Sequence, residues 1–417
     1  MTNDPTRNAS PREVLSVPNF RHLWLGQVGS EVGNGLTRFA VLLMINKLTG
    51  SAAAVATMAV ALALPRLVFG LPAGFAVDRW SRRDLKRTLI VCDLLCIPLL
   101  LAFIPVRHQE QVWLFYLLGF LQAAVGTLWD PTEATLLPWL VPRNGLLAAN
   151  SVLLTTRIIA GVVGAALAGV LVGQAGSGWP AFALDAFSCF VSALFLSRIL
   201  VPSHAPVASS AGREISVGKL FEGVRLIATQ RTLAAVVLAL AVNMLGVSAV
   251  NVLSIPFLVN VLGARSEAVG TVAVAKVLGM LLGSALVTGM ATRLKSNQML
   301  GVGVCGIGIL LVGIGAARSM WGVLLGTFCA GVCAGPVQAA AATLLQTMVP
   351  DDRRGRVRSA LDTIVTTASV VSMAASGILG DALGIRNVFY FSGAITVVAG
   401  LLCAPLIRIR SLPDSTP

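Results

Sequence analysis

Ionisable side chains inside long apolar runs are the most informative residues of this sequence. If these runs cross a membrane, a charge at the bilayer centre costs at least about 2.5 kcal/mol, so each one is a candidate for handling ions or substrate. Some opposite charges are expected to neutralise each other as buried pairs. The acidic candidates are Glu31, Asp93, Asp130, Glu133, Asp185 and Asp362, and the basic candidates are Arg38, Arg66, Arg157 and Lys276.

Depth along the predicted helices separates these candidates. Glu31 lies about 12 Å beyond Leu23, where the first apolar run begins, because each helical residue adds about 1.5 Å. Lys276 is similarly deep in its own run, and both residues are predicted to line a central cavity. Arg38 lies about two turns further along the helix of Glu31. The candidates nearer the cytoplasm, which favour gating or structural roles, are Asp93, Asp130, Glu133 and Asp362.

A proton-coupled mechanism needs a group that can bind and release protons. His22, His108 and His204 lie at the ends of apolar runs or between them, which leaves carboxylates for this role. Burial disfavours the charged form of a carboxyl group. Glu31 is therefore a candidate proton carrier, and a salt bridge to Arg38 or Lys276 is the alternative interpretation.

Long apolar helices must position these residues. The 417-residue chain is 56% hydrophobic and 12% charged, with a mean hydropathy of +0.84, whereas a soluble domain has about 25% charged residues. A span needs roughly 20 apolar residues. The sequence therefore predicts an all-α membrane protein with about twelve transmembrane helices. The predicted spans are 23–48, 52–77, 88–106, 112–138, 147–173, 179–200, 233–262, 268–290, 298–317, 321–348, 360–383 and 388–407.

The distribution of basic residues predicts the orientation of these spans. Lys and Arg concentrate in alternate connections, and the opposite connections hold only Lys47, Arg107, Arg265, Arg318 and Arg386. Because basic loops stay inside, both termini are predicted to be cytoplasmic. This asymmetry explains the net charge of +13 without nucleic acid as a partner.

The two halves of the chain resemble each other. LVPRNGLLAANSVL from Leu140 is similar to MVPDDRRGRVRSAL from Met348, and the G-x-x-x-G pattern that begins at Gly70 recurs at Gly279. Repeats of this kind are typical of transporters whose substrate path lies near the bilayer midplane. Two pseudo-symmetric six-helix bundles are therefore predicted.

The predicted domain boundaries follow from this repeat. The N-terminal bundle covers residues 1–200 and the C-terminal bundle covers residues 232–417. Between them, residues 201–231 are rich in Pro, Ser and Ala near their start, which is typical of a flexible linker. An amphipathic surface helix is predicted at 216–230.

A motif with specific spacing follows the second predicted span. GFAVDRWSRR contains a carboxylate that a short cytoplasmic loop does not require, whereas its basic residues fit the positive-inside rule. The stretch is similar to the G-x-x-x-D-R-x-G-R-R/K pattern of the major facilitator superfamily, with Ser81 where Gly is usual. The motif residues are Gly74, Asp78, Arg79, Arg82 and Arg83.

This resemblance implies a role for the motif in gating. Gly74 allows helix backbones to approach closely, and the carboxylate of Asp78 can accept hydrogen bonds from a helix N-terminus. The resemblance implies that Asp78 docks near Ser359, at the start of the eleventh span. This contact would close the cytoplasmic side in one of two states.

Further stretches resemble one branch of the superfamily, which includes enterobactin exporters and macrolide efflux proteins. They include NFRHLWLGQ from Asn19, LLPWLVP from Leu136 and ALDAFSCFVSAL from Ala183. Trp139 stands where that branch usually has Glu, so Arg82 needs another carboxylate partner. The nearest candidates are Asp130 and Glu133.

The fifth predicted span carries small residues at every fourth position, namely Gly161, Ala165, Gly169 and Gly173. Such a stripe allows tight packing against another helix. Proton-coupled antiporters of the superfamily have a G-x-x-x-G-P motif in this span, but here Gly164 is followed by Ala165. Plain helix packing and antiport both remain open interpretations.

The resemblance implies a monomeric secondary transporter in a bacterial inner membrane. It would export small amphiphilic compounds such as drugs, antibiotics or siderophores by proton antiport and alternating access. Uptake by symport is the alternative within transport, and a lipid flippase or a transport-inactive sensor is the alternative outside it. The chain has no P-loop and no hydrolase motif, so no enzymatic activity is predicted. No cofactor or metal site is predicted either, since the CxxxC pairs lack a His cluster.

Overall fold

The computed structural model describes residues 9–77, 79–200, 217–291, 294–349 and 353–406, and this part of the chain is almost entirely helical. The predicted gating residue Asp78 and residues 201–216 of the predicted linker lie outside the described residues. The helices are α1 (Pro11–Leu15), α2 (Pro18–Thr49), α3 (Ala52–Val77), α4 (Arg82–Leu101), α5 (Val112–Leu140), α6 (Leu146–Ala175), α7 (Trp179–Ser197), α8 (Val217–Thr229), α9 (Arg231–Pro256), α10 (Glu267–Ala291), α11 (Ser296–Ala316), α12 (Met320–Met348), α13 (Arg354–Leu383) and α14 (Ile385–Leu406).

Proline and glycine set the ends of α2. The helix begins at Pro18, because the fixed φ of proline suits the first helical turn, where its missing N–H costs nothing. It ends before Gly50, whose φ of 64° is left-handed. Only glycine adopts this conformation without strain at the end of a helix.

Among the described residues, ten helices are long and apolar enough to cross a membrane. This count confirms a polytopic all-α membrane protein. Two predicted spans, the first and the third, correspond to α2 and α4, which do not belong to the ten. Charges interrupt the apolar sequence of both helices, for example Glu31 and Arg38 in α2 and Lys86 and Asp93 in α4.

The chain divides into two compact units by its internal contacts. Of the described residues, the first unit contains 9–50, 58–77, 79–200 and 265–270, and the second contains the others. Thus the start of α3, at residues 51–57, belongs to the second unit. The start of α10, at residues 265–270, belongs to the first.

Glycines allow close helix contacts within the first unit. A Cβ atom placed on Gly164 of α6 would lie 2.5 Å from the carbonyl oxygen of Val32 on α2. This close approach holds α2 against α6, which matters because both helices carry candidate site residues. Elsewhere in this unit, the rings of Phe103, Phe115 and Phe182 pack together, with centroid separations of 5.0 to 6.3 Å.

The second unit uses the repeated G-x-x-x-G pattern for packing. Gly279 and Gly283 of α10 lie directly against backbone atoms of Phe328 and Val332 on α12, where a Cβ atom would collide. By contrast, a Cβ atom on Gly74 would have no described neighbour within 4 Å. The two copies of the pattern therefore have different surroundings in this structure.

Candidate functional site

Arg157 on α6 connects three carboxylates in the first unit. Its Nε donates a hydrogen bond of 2.9 Å to Glu31 Oε1 on α2. Its Nη2 lies 3.2 Å from Asp130 Oδ1 and 3.2 Å from Glu133 Oε2, both on α5. The guanidinium group presents several donors in a fixed plane, so one side chain holds three acids on two other helices.

Two further side chains extend this arrangement. The amide of Gln27 donates a hydrogen bond of 3.2 Å to Glu133 Oε2, and Arg66 Nη2 on α3 lies 3.9 Å from Asp130 Oδ2. We refer to the whole group as the Arg157 cluster. Its members are Gln27, Glu31, Arg66, Asp130, Glu133 and Arg157.

The Arg157 cluster contains more acids than bases. Three carboxylates face two guanidinium groups, so full ionisation would leave these five groups with a net charge of −1. A third guanidinium group, that of Arg38, forms none of these ion pairs, but it is close enough for its charge to interact with Glu31 and Arg66. An excess charge inside a membrane is costly. The excess carboxylate therefore needs a further positive charge nearby, which can come from Arg38, a proton or a cationic group of a ligand.

Access to the cluster is asymmetric. The side chain of Glu133 is 8% exposed, whereas those of Asp130 and Arg66 are 49% and 78% exposed. One edge of the cluster is therefore enclosed by helices, and the other edge is open. Of the cluster, the edge formed by Asp130 and Arg66 is thus the most accessible part.

The structure gives Glu31 a different partner from the two that the sequence suggested. Glu31 pairs with Arg157, and it forms no ion pair with Arg38 or Lys276 among the described residues. The predicted pairing with Arg38 or Lys276 is therefore wrong, whereas the role of Glu31 as a proton carrier stays a prediction. The sequence did not indicate Arg157 as the partner because the two residues are 126 positions apart.

Lys276 occupies a different kind of environment in the second unit. Its ammonium group donates a hydrogen bond of 2.9 Å to Asn251 Oδ1 on α9. The described carboxylates include none that forms an ion pair with Lys276. Its described side-chain partner is a neutral amide, which does not neutralise the positive charge of the protonated lysine.

Asp93 and Asp185 form a second buried acidic region in the first unit. They are 3% and 0% exposed, and neither forms an ion pair with a described base. Asp185 instead accepts hydrogen bonds from the hydroxyls of Thr37, at 2.6 Å, and Ser188, at 3.3 Å. Gly33 on α2 leaves room for its carboxylate. These hydroxyl contacts favour a structural role in joining α2 to α7.

Asp362 has a simple local partner. It lies 3.2 Å from Arg358, one turn earlier on α13, and both side chains are well exposed. Pairs of this type contribute little to stability, typically a few tenths of a kcal/mol. Asp362 is thus separate from the clusters described above.

The motif between α3 and α4 has an unexpected partner for Arg82. The guanidinium carbon of Arg82 lies 3.2 Å from the centre of the Trp139 ring, which is a cation–π contact. Asp130 and Glu133 bind Arg157 instead, so their predicted pairing with Arg82 is wrong. Trp139 therefore takes the place of the acidic partner that the branch usually has.

Ser81, which replaces the usual Gly of the motif, caps α4. Its hydroxyl donates a hydrogen bond of 2.6 Å to Asp84 Oδ2, and it accepts one from the Asp84 N–H. The hydroxyl contact lowers the pKa of Asp84 from its usual value, and nearby Arg87 and Arg83 act in the same direction. Arg79 and Arg83 are exposed.

The small residues of α6 pack against two different segments. Gly161 lies against Gly35 of α2, whose added Cβ would be 3.1 Å from the Gly161 carbonyl oxygen. Added Cβ atoms on Gly169 and Gly173 would lie 2.6 Å from the Ser266 carbonyl oxygen and 3.0 Å from Glu267 Oε1. The fourth member of the stripe, Ala165, is fully buried.

Gln27 is a member of the cluster that the sequence interpretation missed. It is 1% exposed and bonds to Glu133. A polar residue four positions before Glu31 lies on the same helix face, so this spacing was available as a signal. A neutral polar side chain in an apolar run is a weaker signal than a charge, because burying it costs less free energy.

The helical architecture and the charges within its apolar helices are those of a polytopic membrane protein, and comparison with known proteins specifies its family. The profile of the transmembrane secretion effector family matches residues 9–415. The chain belongs to this family of the major facilitator superfamily. This result confirms the resemblance that the sequence motifs indicated.

Related proteins include several that are named for efflux. The chain is 21% identical to macrolide efflux protein A of Streptococcus pyogenes, over 94% of this chain and 97% of that protein. It is 27% identical to the multidrug efflux pump Tap of Mycolicibacterium fortuitum, over 91% of this chain and 93% of that protein. Both alignments cover nearly the whole length of each chain.

Solved structures share the fold at low sequence identity. A mutant form of the nucleoside transporter NupG has a TM-score of 0.73 at 13% identity and covers 94% of this chain and 100% of its own. A bacterial homologue of the iron transporter ferroportin has a TM-score of 0.72 at 17% identity, covering 93% of this chain and 98% of its own. These similarities establish the fold of a major facilitator transporter.

Proposed function

We propose that this chain exports small amphiphilic compounds, such as drugs, antibiotics or siderophores, in exchange for protons. The Arg157 cluster carries this proposal, because its three carboxylates and two guanidinium groups leave room for one additional positive charge. The efflux names of related proteins support the direction of transport. A proton and a cationic substrate would then compete for the same excess negative charge of the Arg157 cluster.

The contacts of the cluster suggest how this competition operates. When one carboxylate binds a proton, the remaining charges balance, and Arg157 stays bonded to the other two acids. Asp130 lies at the open edge and provides the route by which protons reach Glu31 and Glu133. A cationic substrate that arrives at this edge favours release of the proton, because two added positive charges exceed the single excess negative charge of the cluster.

The proposed architecture places this exchange in an alternating-access transporter. Twelve spans form two pseudo-symmetric six-helix bundles, over residues 1–200 and 232–417, with a linker at 201–231. The protein is a monomer in the bacterial inner membrane, with both termini in the cytoplasm. Arg38 and Lys276 line the substrate path, and Asp78 closes the cytoplasmic side.

Inside-out membrane vesicles test this proposal. A fluorescent, cationic amphiphilic dye is expected to accumulate when respiration acidifies the vesicle interior, and a protonophore should abolish accumulation. Glu31→Gln should lose the gradient-dependent part, because it removes a carboxylate of the cluster. Glu110→Gln is the matched control, because Glu110 is exposed in a short turn away from the cluster. Dye uptake that ignores the protonophore would contradict the proposal, and uptake only in right-side-out vesicles would indicate symport.

A further inference from the structure

The start of α3 is capped by a side chain that is distant in the sequence. Asp381, in the last turn of α13, accepts hydrogen bonds from the backbone N–H groups of Ala52, at 2.8 Å, and Ala53, at 3.1 Å. Its Oδ2 also accepts a hydrogen bond of 2.6 Å from the Ser51 hydroxyl. One carboxylate therefore satisfies three donors at the N-terminus of α3.

The carboxylate of Asp381 interacts favourably with the N-terminus of α3 and unfavourably with the dipole of its own helix, α13. The first N–H groups of a helix have no partners within the helix, and the N-terminus carries partial positive charge. A carboxylate is favourable there. At the C-terminus of α13 the partial charge is negative, so the same carboxylate opposes the dipole of its own helix. The presence of Asp381 is thus explained by the contact with α3.

Close packing reinforces this contact. A Cβ atom on Gly377 would lie 2.9 Å from the Ala53 Cα, and one on Gly380 would lie 3.1 Å from the Ala52 Cβ. With glycine at these two positions, the backbone of α13 can lie directly against the first turn of α3. The hydrogen bonds of Asp381 therefore depend on the position of the whole outer end of α13.

The cap is also built to be reversible. Ser51, which directly precedes α3, forms the usual local cap, because its hydroxyl accepts a hydrogen bond of 3.2 Å from the Ala54 N–H. Asp381, which follows Ser51 by 330 residues, adds a second cap from another helix, so the first turn of α3 keeps one cap if Asp381 moves away. The carboxylate of Asp381 is exposed, so water can replace its contacts. The first residues of α3, 51–57, cluster with the second unit, whereas residues 58–77 cluster with the first.

We infer that Asp381 is a latch at the predicted outer side of the transporter. It caps α3 in the state described here and releases the helix when the outer side opens. This inference rests on the proposed alternating-access function. The sequence resemblance predicts that Asp78, the residue after Val77, closes the cytoplasmic side, so the two proposed latches would act in opposite states.

A reversible cross-link tests whether the contact must open. In a chain whose native cysteines are alanine, Ala52→Cys and Gly380→Cys place two Cβ atoms near the 3.5–4.5 Å separation of disulfides. Oxidation is expected to reduce dye export more than tenfold, and a reductant should restore it. The control keeps Cys333 and adds Gly306→Cys, which joins α11 to α12, away from α3, with the added Cβ 4.0 Å from the Cys333 Cβ. Export by the verified Ala52–Gly380 cross-linked protein at the full rate of the reduced protein would overturn the latch.

Thiol labelling supplies a second test that does not require two new cysteines. Ala56 is 1% exposed, so Ala56→Cys should react slowly with an impermeant maleimide added to intact cells. Asp381→Asn should raise the labelling rate several-fold, because its amide cannot accept from all three donors. Glu110→Gln, which removes a charge from the same predicted side, should leave the rate unchanged. Equal rates in the Asp381→Asn variant and the parent would overturn the inference.

These measurements can be separated from the test of the proposed function. Labelling needs neither a substrate nor a proton gradient. If Asp381→Asn changes labelling but vesicles show no proton-driven export, the latch stands and the proposed function fails. If vesicles export the dye but labelling is unchanged, only the latch fails.

Discussion

The two units handle their intramembrane charges differently. In the first unit, Arg157 bonds to three carboxylates on two other helices. In the second unit, Lys276 bonds to the neutral amide of Asn251. The first arrangement can gain or lose a proton while every charged group keeps a partner. The second is a single basic group whose only described side-chain partner is neutral.

Under the proposed function, this difference would give the two regions separate tasks. A group that couples transport to protons needs a stable arrangement in both the protonated and the deprotonated form, which the Arg157 cluster provides. A lone ammonium group is better suited to orient a substrate, since it offers up to three donors with little geometric constraint. We therefore expect substitutions in the cluster to change proton coupling, and substitutions at Lys276 to change apparent affinity.

The largest effect is expected from Arg157→Met. This change leaves three carboxylates without their shared partner, and breaking such a pair costs up to about 3–5 kcal/mol, less in proportion to the water that screens its 40% exposed side chain. This cost falls on the folded protein, so the yield of the variant should drop. Dye export measured in vesicles at matched protein levels should also fall by about tenfold or more, because the three acids then lack their shared positive charge inside the membrane. Arg157→Lys, which keeps the charge, should retain part of the activity; equal loss in both variants would contradict the charge-based explanation.

Glu133→Gln should separate coupling from transport. The amide keeps an acceptor for Gln27 and removes the excess negative charge of the cluster. Exchange of labelled for unlabelled dye across the membrane should continue at a rate within about threefold of the parent. Accumulation driven by a pH gradient should be lost. Retention of gradient-driven accumulation would show that the excess charge is not the coupling element.

Lys276→Gln is expected to have a smaller effect. It keeps a donor for Asn251 and removes the positive charge, so the apparent KM should rise by about three- to tenfold while the dependence on the gradient is unchanged. Dye-concentration curves at two gradient sizes provide the measurement. A change in gradient dependence without a change in KM would reverse the tasks assigned to the two units.

The smallest effect is expected at Trp139. Trp139→Glu replaces the cation–π contact with Arg82 by an ion pair of the kind usual in this branch. Contacts of both kinds contribute about 0.5–1 kcal/mol at exposed sites, so export should stay within about threefold of the parent. Trp139→Ala removes both contacts and should reduce export further. An inactive Trp139→Glu variant would mean that the ring has a task beyond holding Arg82.

The sequence indicated the class of protein well because its strongest signals are local. Apolar runs predicted helices, and the stretch from Gly74 to Arg83 indicated the superfamily. Pairings between distant helices were not predictable in this way. The sequence offered Arg38 or Lys276 for Glu31, whereas the fold brings Arg157 to it. The partner of a buried charge depends on helix packing, which local spacing does not reveal.

The contact between Asp381 and α3 was even harder to predict from the sequence. An acid near the end of an apolar run has no distinctive local pattern, and its role depends on donors that lie about 330 positions earlier in the chain.

Trp139 was predictable only as a departure from the branch pattern. Its function as the partner of Arg82 became evident only from the 3.2 Å contact.

Proton release on substrate binding tests the central claim most directly. The purified protein in weakly buffered detergent solution is mixed with the dye, and the pH change is recorded with an indicator. The charge balance of the Arg157 cluster predicts release of about one proton for each dye molecule bound, and no release from the Glu133→Gln variant. Dye binding without proton release by the parent protein would contradict the account.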